Sequence, residues 1–260
     1  MTEKKLKLSV VIPAHNEEGL IEKVVNEISE ELGRESIDNE IIVVNDNSRD
    51  RTGEILARMA RERRNMKVID RIPPNGFGRA IREGLENMTG DAAVIVMGDA
   101  SDDPKDIVKY FRKIEEGYDC VFGSRFIKGA AVRDYPPHKL FVNRLANLFL
   151  QCLFVTPHND LTNAFKAYKR EVIEAIKPIE SLYFNVTIEL PLKAMIRGYK
   201  AAVVPISWYG RESGVSKLKI RDMGRRYLYM ALYIWLQKTL VRDDVREKAG
   251  EAVKKHAQGK

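Results

Sequence analysis

The chain has 260 residues, 44% of them hydrophobic, and a formal net charge of +7 at pH 7. That length supports one large core, alone or with an appendage, and that apolar content excludes a disordered chain. Cys120 and Cys152 lie in apolar stretches without metal-ligand spacing and read as reduced core thiols, which excludes a disulfide scaffold or a cysteine-held zinc.

The first half alternates two patterns. KLSVVIPA is a β-branched run, with Pro13 breaking an apolar stretch too short for a signal peptide, and reads as a first strand. EEGLIEKVVNEISEEL follows with helical periodicity, placing Leu20, Ile21, Val24, Val25, Ile28 and Leu32 on one side. NEIIVVN is a second strand and SRDRTGEILARMARERR a second helix, with Ser48 expected to cap it. MKVID and FGRAIREGLENM repeat the pair, then DAAVIVMGD and DPKDIVKYFRKIEEG, with Pro104 in the first turn and Asp103 as cap. YDCVFGSR is a fifth strand. This alternation predicts an α/β fold with a mainly parallel sheet and helices on both faces.

Beyond residue 126 the regularity fades. HKLFVNRLANLFLQCLF reads as an apolar helix, NDLTNAFKAYKREVIEAI as a loop entering a helix, and NVTIELPLKAMIRG as helical despite Pro191. YKAAVVPISW reads as a strand and GRESGVSKLKI as a Gly/Ser-rich basic loop. YLYMALYIWLQKTL, residues 227–240, is apolar nearly all round and too short to span a bilayer. Its tyrosines, Trp235 and the flanking Arg225, Arg226, Lys238 and Arg242 suit a helix in the headgroup layer, the alternative being a core or dimer helix. Nine Lys/Arg against Glu212 and Asp222 between Lys193 and Arg226 point to an anionic partner or to a solvated basic face. The expected division is a catalytic domain over 1–215, a basic loop with interfacial helices over 216–242, and a charged tail over 243–260.

Ligands of such sheets bind beyond the carboxyl ends of the strands. Four polar clusters fall there: His15 to Glu17, Asn45 to Ser48, Asp99 to Asp103, and Ser124-Arg125. Glu17, Asp46 and Asp99 can bind a nucleoside or a divalent ion, although Asp46 or Ser48 alone could equally be a helix cap. NGFGRAIREG lacks the ending of a phosphate loop and reads first as a tight turn into a helix. His15, His138, His158 and His256 are scattered, with no Ser–His–Asp set among them.

VVIPAHNE, VVNDNSRDRT, NGFGRAIREG, MGDASDDP and FGSRFIKG stand in the order typical of family 2 glycosyltransferases of the GT-A fold. DLTNAFKAYKREV and GVSKLKI resemble the polyprenyl-phosphate branch of that family, the dolichol-phosphate mannose synthase type, and the resemblance runs from about residue 8 to 220. It implies an inverting, peripheral enzyme on the cytoplasmic face of the membrane. Such an enzyme moves a hexose from a nucleotide diphosphate sugar, GDP-mannose by default, to a polyprenyl phosphate with Mg²⁺ or Mn²⁺. UDP-glucose or UDP-N-acetylglucosamine as donor, a hydroxyl acceptor, or a non-catalytic nucleotide-binding relative are the alternatives; no nucleic-acid motif is seen.

By resemblance Pro13, Ala14, Glu17, Asp46, Gly78 and Asp99 are donor-binding, and Asp99 and Ser101 are metal ligands, with Asp99 also catalytic. Arg125, Lys139, Asn143, Arg211 and Lys217 hold the acceptor phosphate, with Arg125, Arg211 and Lys217 also catalytic. Met97 stands where the family has its first metal aspartate, Asn45 replaces a common aspartate, and Asn163-Ala164 replace Ser-Gly in a loop that shapes the donor-sugar site. A phosphomonoester is already anionic, so its attack needs positive charge and a dry site more than a base.

Overall fold

The computed structural model describes residues 5–210 and 220–241, so Arg211 and Lys217 lie outside the described residues, as do the loop around them and the tail beyond 241. Six strands run parallel: β1 (Lys7–Ala14), β2 (Asp38–Asn45), β3 (Met66–Asp70), β4 (Ala92–Ile95), β5 (Cys120–Ser124) and β8 (Ala201–Pro205). A seventh, β7 (Lys166–Lys169), enters antiparallel between β4 and β5, giving the order β3-β2-β1-β4-β7-β5-β8. A small second sheet pairs β6 (Ala131–Arg133) with β9 (Ser207–Tyr209). The helices are α1 (Ile21–Arg34), α2 (Thr52–Glu62), α3 (Phe77–Glu86), α4 (Pro104–Glu115), α5 (Pro137–Phe154), α6 (Arg170–Ala175), α7 (Val186–Ile196) and α8 (Ile220–Leu240).

The parallel strands are apolar on both sides because both faces are covered. Val10 and Ile12 pack with the buried stripes of α1, α2 and α4, while Val11, Ile42 and Ile95 pack with α3, α6, α7 and the inner side of α8. The chain reverses its order along the sheet between β1 and β4, and the loops after those strands open the crevice that such a reversal creates.

Four details differ from the sequence pattern. The fourth strand ends at Ile95, and after a last bond from the Val96 N–H to the Val11 carbonyl at 3.0 Å the chain turns away to carry Asp99. KAYK is a strand rather than part of a loop, because a gap between β4 and β5 accepts a short antiparallel segment whose pairing partners are remote in sequence. The AAVVPISW run divides at Ile206 between the two sheets. Ser48 does not cap α2: its hydroxyl accepts from the Asn16 N–H at 3.0 Å, and Asp50 accepts from the Thr52 N–H at 3.0 Å instead. Asp103 does cap α4, accepting from the Lys105 N–H at 3.0 Å, and α7 is helical through Pro191.

Gly78 sets the spacing between α3 and the loop before α7. A Cβ there would lie 2.2 Å from the Ser181 carbonyl oxygen. Gly78→Ala is therefore expected to cost about 2–3 kcal/mol through a forced backbone shift. Urea unfolding measures this, and unchanged stability would remove the packing explanation.

A carboxylate rim and a buried arginine: the candidate active site

The loops after β1 and β2 are stitched together by side chains. Asp46 N–H donates to the Ala14 carbonyl at 2.8 Å, Glu17 N–H to the Thr52 hydroxyl at 2.8 Å, and Asn75 Nδ2 to the Asp46 carbonyl at 2.9 Å. His15 Nδ1 lies 2.8 Å from the same carbonyl, which ties the ring to this loop. The Asp46 carboxylate is buried, paired with Arg71 and holding the Gly76 N–H at 2.7 Å, just ahead of α3. Asn45 spans the interior of the turn, with Nδ2 donating to Asp70 at 2.7 Å and Oδ1 accepting from the Ser48 N–H at 3.2 Å.

Asn16, Asn47 and Ala100, one in each of the turns after β1, β2 and β4, adopt left-handed backbone with φ of 54°, 55° and 58°. Asparagine tolerates that region, whereas alanine there costs roughly 1–2 kcal/mol. The turn carrying Asp99 is thus held in a strained form, as turns at working sites commonly are.

That turn is built around two acids. Asp99 is 4% exposed and its Oδ1 accepts from the Ser101 N–H at 3.2 Å. Asp102 is 8% exposed and its Oδ2 accepts from the Met97 N–H at 3.0 Å. Burial, reinforced by the charge of Asp99, pushes the Asp102 carboxyl up to about 7 against the Met97 N–H that favours its ionised form. So a carboxylate does stand at the backbone of Met97, supplied from five residues later. The turn is clamped from outside, because Tyr209 N–H donates to the Ser101 carbonyl at 3.0 Å and Asp102 bridges to Trp208. Ser101 is buried at 2% exposure within it.

Trp208 leads directly to the positive side of the site. Arg125, 9% exposed, follows β5 and forks onto Asp160 through Nε at 2.8 Å and Nη2 at 2.7 Å. Asp160 also accepts the Arg125 backbone N–H at 3.0 Å. The guanidinium carbon sits 5.4–6.0 Å from the ring centres of Phe126, Tyr135 and Trp208. Asp160 begins the loop DLTNAF, and Lys166 at its end is buried with Nζ donating to the carbonyls of Leu161, Asn163 and Thr187. Burial draws the Lys166 ammonium down to about 7 while these oxygens hold it. Asn143 and Asn147 of α5 donate to the Thr162 hydroxyl, both at 2.9 Å, which fixes α5 to the same loop. Lys139, in the first turn of α5, makes no ion pair among the described residues.

The chain matches the sequence profile of glycosyl transferase family 2 over residues 9–177, which takes in the whole rim from Pro13 through Arg125 to Asp160. The protein is a member of glycosyltransferase family 2. This family 2 glycosyltransferase is 30% identical over 216 residues to a dolichol-phosphate mannosyltransferase of Pyrococcus furiosus, an alignment covering 82% of this chain and 60% of that protein. The chain thus spans well under two thirds of the length of that relative. It is 29% identical over 215 residues to a polyprenol monophosphomannose synthase of Mycolicibacterium smegmatis, covering 80% of each. The fold is shared with glucosyl-3-phosphoglycerate synthase of Mycobacterium tuberculosis, solved with Mn²⁺, UDP and phosphoglyceric acid (TM-score 0.67, 24% identity, covering 88% of this chain and 78% of that one). A second form of that enzyme, with Mg²⁺ and UDP, aligns with a TM-score of 0.65 at 22% identity over 88% of this chain and 79% of that one.

In this family 2 glycosyltransferase the described residues offer no cluster of three His, Cys, Asp or Glu that would cage a metal. Two buried carboxylates, Asp99 and Asp102, on an open rim do fit a hard divalent ion that keeps waters and takes its remaining oxygens from a diphosphate. Of the residues expected from sequence, Pro13 and Ala14 end β1, and Glu17, Asp46, Asp99 and Ser101 belong to the turns around the β1–β4 crevice. Arg125, Lys139 and Asn143 gather around the DLTNAF loop. Two of these residues have partners in the fold that the sequence does not show. Gly78 is turned against the Ser181 carbonyl, so close packing is reason enough for a glycine there. Arg125 does not offer an unneutralised charge to a phosphate, because Asp160 occupies two of its guanidinium nitrogens; only Nη1 lies outside that fork. Trp208, Tyr135 and Lys166 carry no signal in the sequence, since nothing next to an aromatic or a lysine says what it packs on in the fold.

Helix α8 is covered on one side only. Met223, Met230, Ala231 and Ile234 are buried against the fold, whereas Leu228, Leu232, Leu236 and Leu240 form an exposed apolar ridge. Neighbouring α5, joined to it by the Lys238 ammonium on the Phe154 carbonyl at 2.8 Å, exposes Phe141, Leu145, Leu148 and Phe149. No described helix is long and apolar enough to cross a membrane.

Proposed function

We propose that this family 2 glycosyltransferase moves a hexose from a nucleoside diphosphate sugar to the phosphate of a polyprenyl lipid at the cytoplasmic membrane surface, with inversion at the anomeric carbon. The observation that carries this reading is one of placement. The acidic rim that suits a metal-bound diphosphate adjoins an arginine-bearing loop, and that loop is fixed to a helix whose outer side is apolar. The names of the two curated relatives support the lipid-phosphate acceptor and mannose as the sugar.

On this reading Asp46 and Glu17 meet the nucleoside, and Asp99 and Asp102 hold Mg²⁺ or Mn²⁺. Asp102 supplies the carboxylate that Met97 lacks. When bound, the metal neutralises charge on the departing diphosphate. Lys139 and Asn143 receive the acceptor phosphate, with Arg211 and Lys217 from the segment after β9. The Arg125–Asp160 fork orients rather than neutralises: it fixes the floor on which the acceptor phosphate lines up with the anomeric carbon. No base is required, because the acceptor oxygen is already anionic. GDP-mannose is the favoured donor. A UDP-sugar is the second reading, supported by the UDP held in the structural neighbours.

A donor panel tests this. Labelled GDP-mannose, UDP-glucose and UDP-N-acetylglucosamine are each incubated with Mn²⁺ and polyprenyl phosphate, and the lipid phase is counted. Label from GDP-mannose is expected in the lipid, and label from none of the donors would overturn the reading. The membrane part has its own test. Leu145→Glu with Leu232→Glu is expected to weaken sedimentation with lipid vesicles by about tenfold or more, since each leucine loses buried apolar area in the interface. Undiminished binding would exclude these two helices as the contact.

A further inference from the structure

The proposed transfer leaves one buried cation without a task. Lys166 stands in β7 at 1% exposure, and no carboxylate touches its ammonium among the described residues. Nζ instead donates to three backbone carbonyls, those of Leu161 at 3.0 Å, Asn163, and Thr187 at 3.3 Å. An ammonium carries three N–H groups, so each carbonyl takes one. Burial draws the group down to about 7, while Asp160 and Asp102 favour its charge from further off and Arg125 opposes it. A buried charge of this kind is costly as scaffold alone, because an apolar side chain of similar length fills the same space without the desolvation.

The three carbonyls belong to elements that matter. Proline has no N–H, so Pro191 inside α7 cannot bond the carbonyl four residues earlier, which is that of Thr187. Lys166 supplies the missing donor. The Thr187 hydroxyl in turn lies 2.8 Å from the Tyr227 hydroxyl of α8. The other two carbonyls flank Thr162, whose hydroxyl accepts from Asn143 and Asn147 of α5. Leu161 also follows Asp160, the counter-ion of Arg125. One ammonium therefore ties the loop that seats the acceptor residues to α7, and through Thr187 to α8.

We propose that Lys166 is a positioning residue for the acceptor half of the reaction. By tying the Leu161 and Asn163 carbonyls to α7 it sets the place of the DLTNAF loop, and with it Asn143 and the Arg125–Asp160 fork. The proposal rests on the lipid-phosphate reading above for the identity of the acceptor. Lys166 acts through these groups rather than on the substrate, and a displacement of about 1 Å between reacting groups costs on the order of a hundredfold in rate. The donor side is held separately, by the bonds within and between the turns after β1, β2 and β4.

The test compares Lys166→Met, Pro191→Ala and the double variant in the full chain at pH 8, where the Asp102 carboxyl has lost its proton. Lys166→Met is expected to lower kcat/KM for polyprenyl phosphate about a hundredfold, with Mn²⁺-dependent binding of GDP and UDP within about twofold of wild type. Hydrogen exchange in the DLTNAF loop and the first turns of α5 is expected to quicken. Pro191→Ala gives α7 its own N–H for the Thr187 carbonyl, so it should restore any stability lost with Lys166. It should not restore transfer, because the Leu161 and Asn163 carbonyls stay untied. Recovery of transfer together with melting temperature in the double variant would make Lys166 scaffold only and overturn the proposal. Near-wild-type transfer by Lys166→Met, or an equal loss on the nucleotide and lipid-phosphate sides, would overturn it too. If the loop exchanges faster in Lys166→Met but the wild-type protein labels no lipid phosphate, the tether stands and the acceptor reading of the proposed function fails.

Discussion

Alanine at position 99 is expected to lower turnover by about a thousandfold at saturating donor and Mn²⁺, equivalent to about 4 kcal/mol of lost transition-state stabilisation. Asp99 has few substitutes, because it is the buried acid that closes the turn onto the Ser101 N–H. Asp102 is expected to reveal itself through pH. Its proton, held up to about 7 by burial and by the charge of Asp99, must leave before the carboxylate can bind a cation. Mn²⁺ affinity in the wild-type protein should therefore rise about tenfold per pH unit as pH approaches about 7, then level off, and Asp102→Asn should flatten that slope. Isothermal titration between pH 5 and 8 measures it. A parallel slope in Asp102→Asn would remove Asp102 from the metal shell.

The same group fixes the sign of a stability change. The folded carboxyl keeps its proton up to about 7, while the unfolded chain releases it near the ordinary aspartate value of 3.8. The unfolded state then binds fewer protons in that window, so the metal-free protein loses stability as pH rises from about 4 through about 7. Lys166, drawn down to about 7 from 10.5, acts with the opposite sign above that window. Melting temperatures of wild type and Asp102→Asn at pH 5 and 7 isolate the acid, and an equal pH response in both would refute the assignment.

The second large effect is expected at Asp160. Alanine there would leave the Arg125 guanidinium buried beneath Phe126, Tyr135 and Trp208 without its counter-ion, at a cost of about 3–5 kcal/mol. Adding Arg125→Met should recover much of that stability, because an apolar side chain of similar length can fill the space among the three rings. Transfer should not recover. Chemical unfolding reads the first quantity and lipid-linked product the second. Full activity in the double variant would mean that the fork is scaffold only.

These cases show where sequence reading stops. Apolar runs ending in acid placed Asp46 and Asp99 at strand tips, and the ordered motifs from Pro13 to Arg125 marked both family and rim, because strand period and turn chemistry are local. The exposed and buried stripes of α8 were inseparable in a segment apolar all round, since only its neighbours decide which stripe is covered.

From its sequence alone the protein was determined to be an α/β chain whose polar loops collect beyond one edge of a parallel sheet. Tertiary structure alone decided the state of each charge there. Arg125 is neutralised by an acid 35 residues away, Asp102 reaches the backbone where Met97 offers no carboxylate, and a lysine inside the KAYK strand is buried among carbonyls. Whether a side chain is charged, paired or available depends on burial and on partners brought in from distant segments, and neither is written in the spacing of its own neighbours.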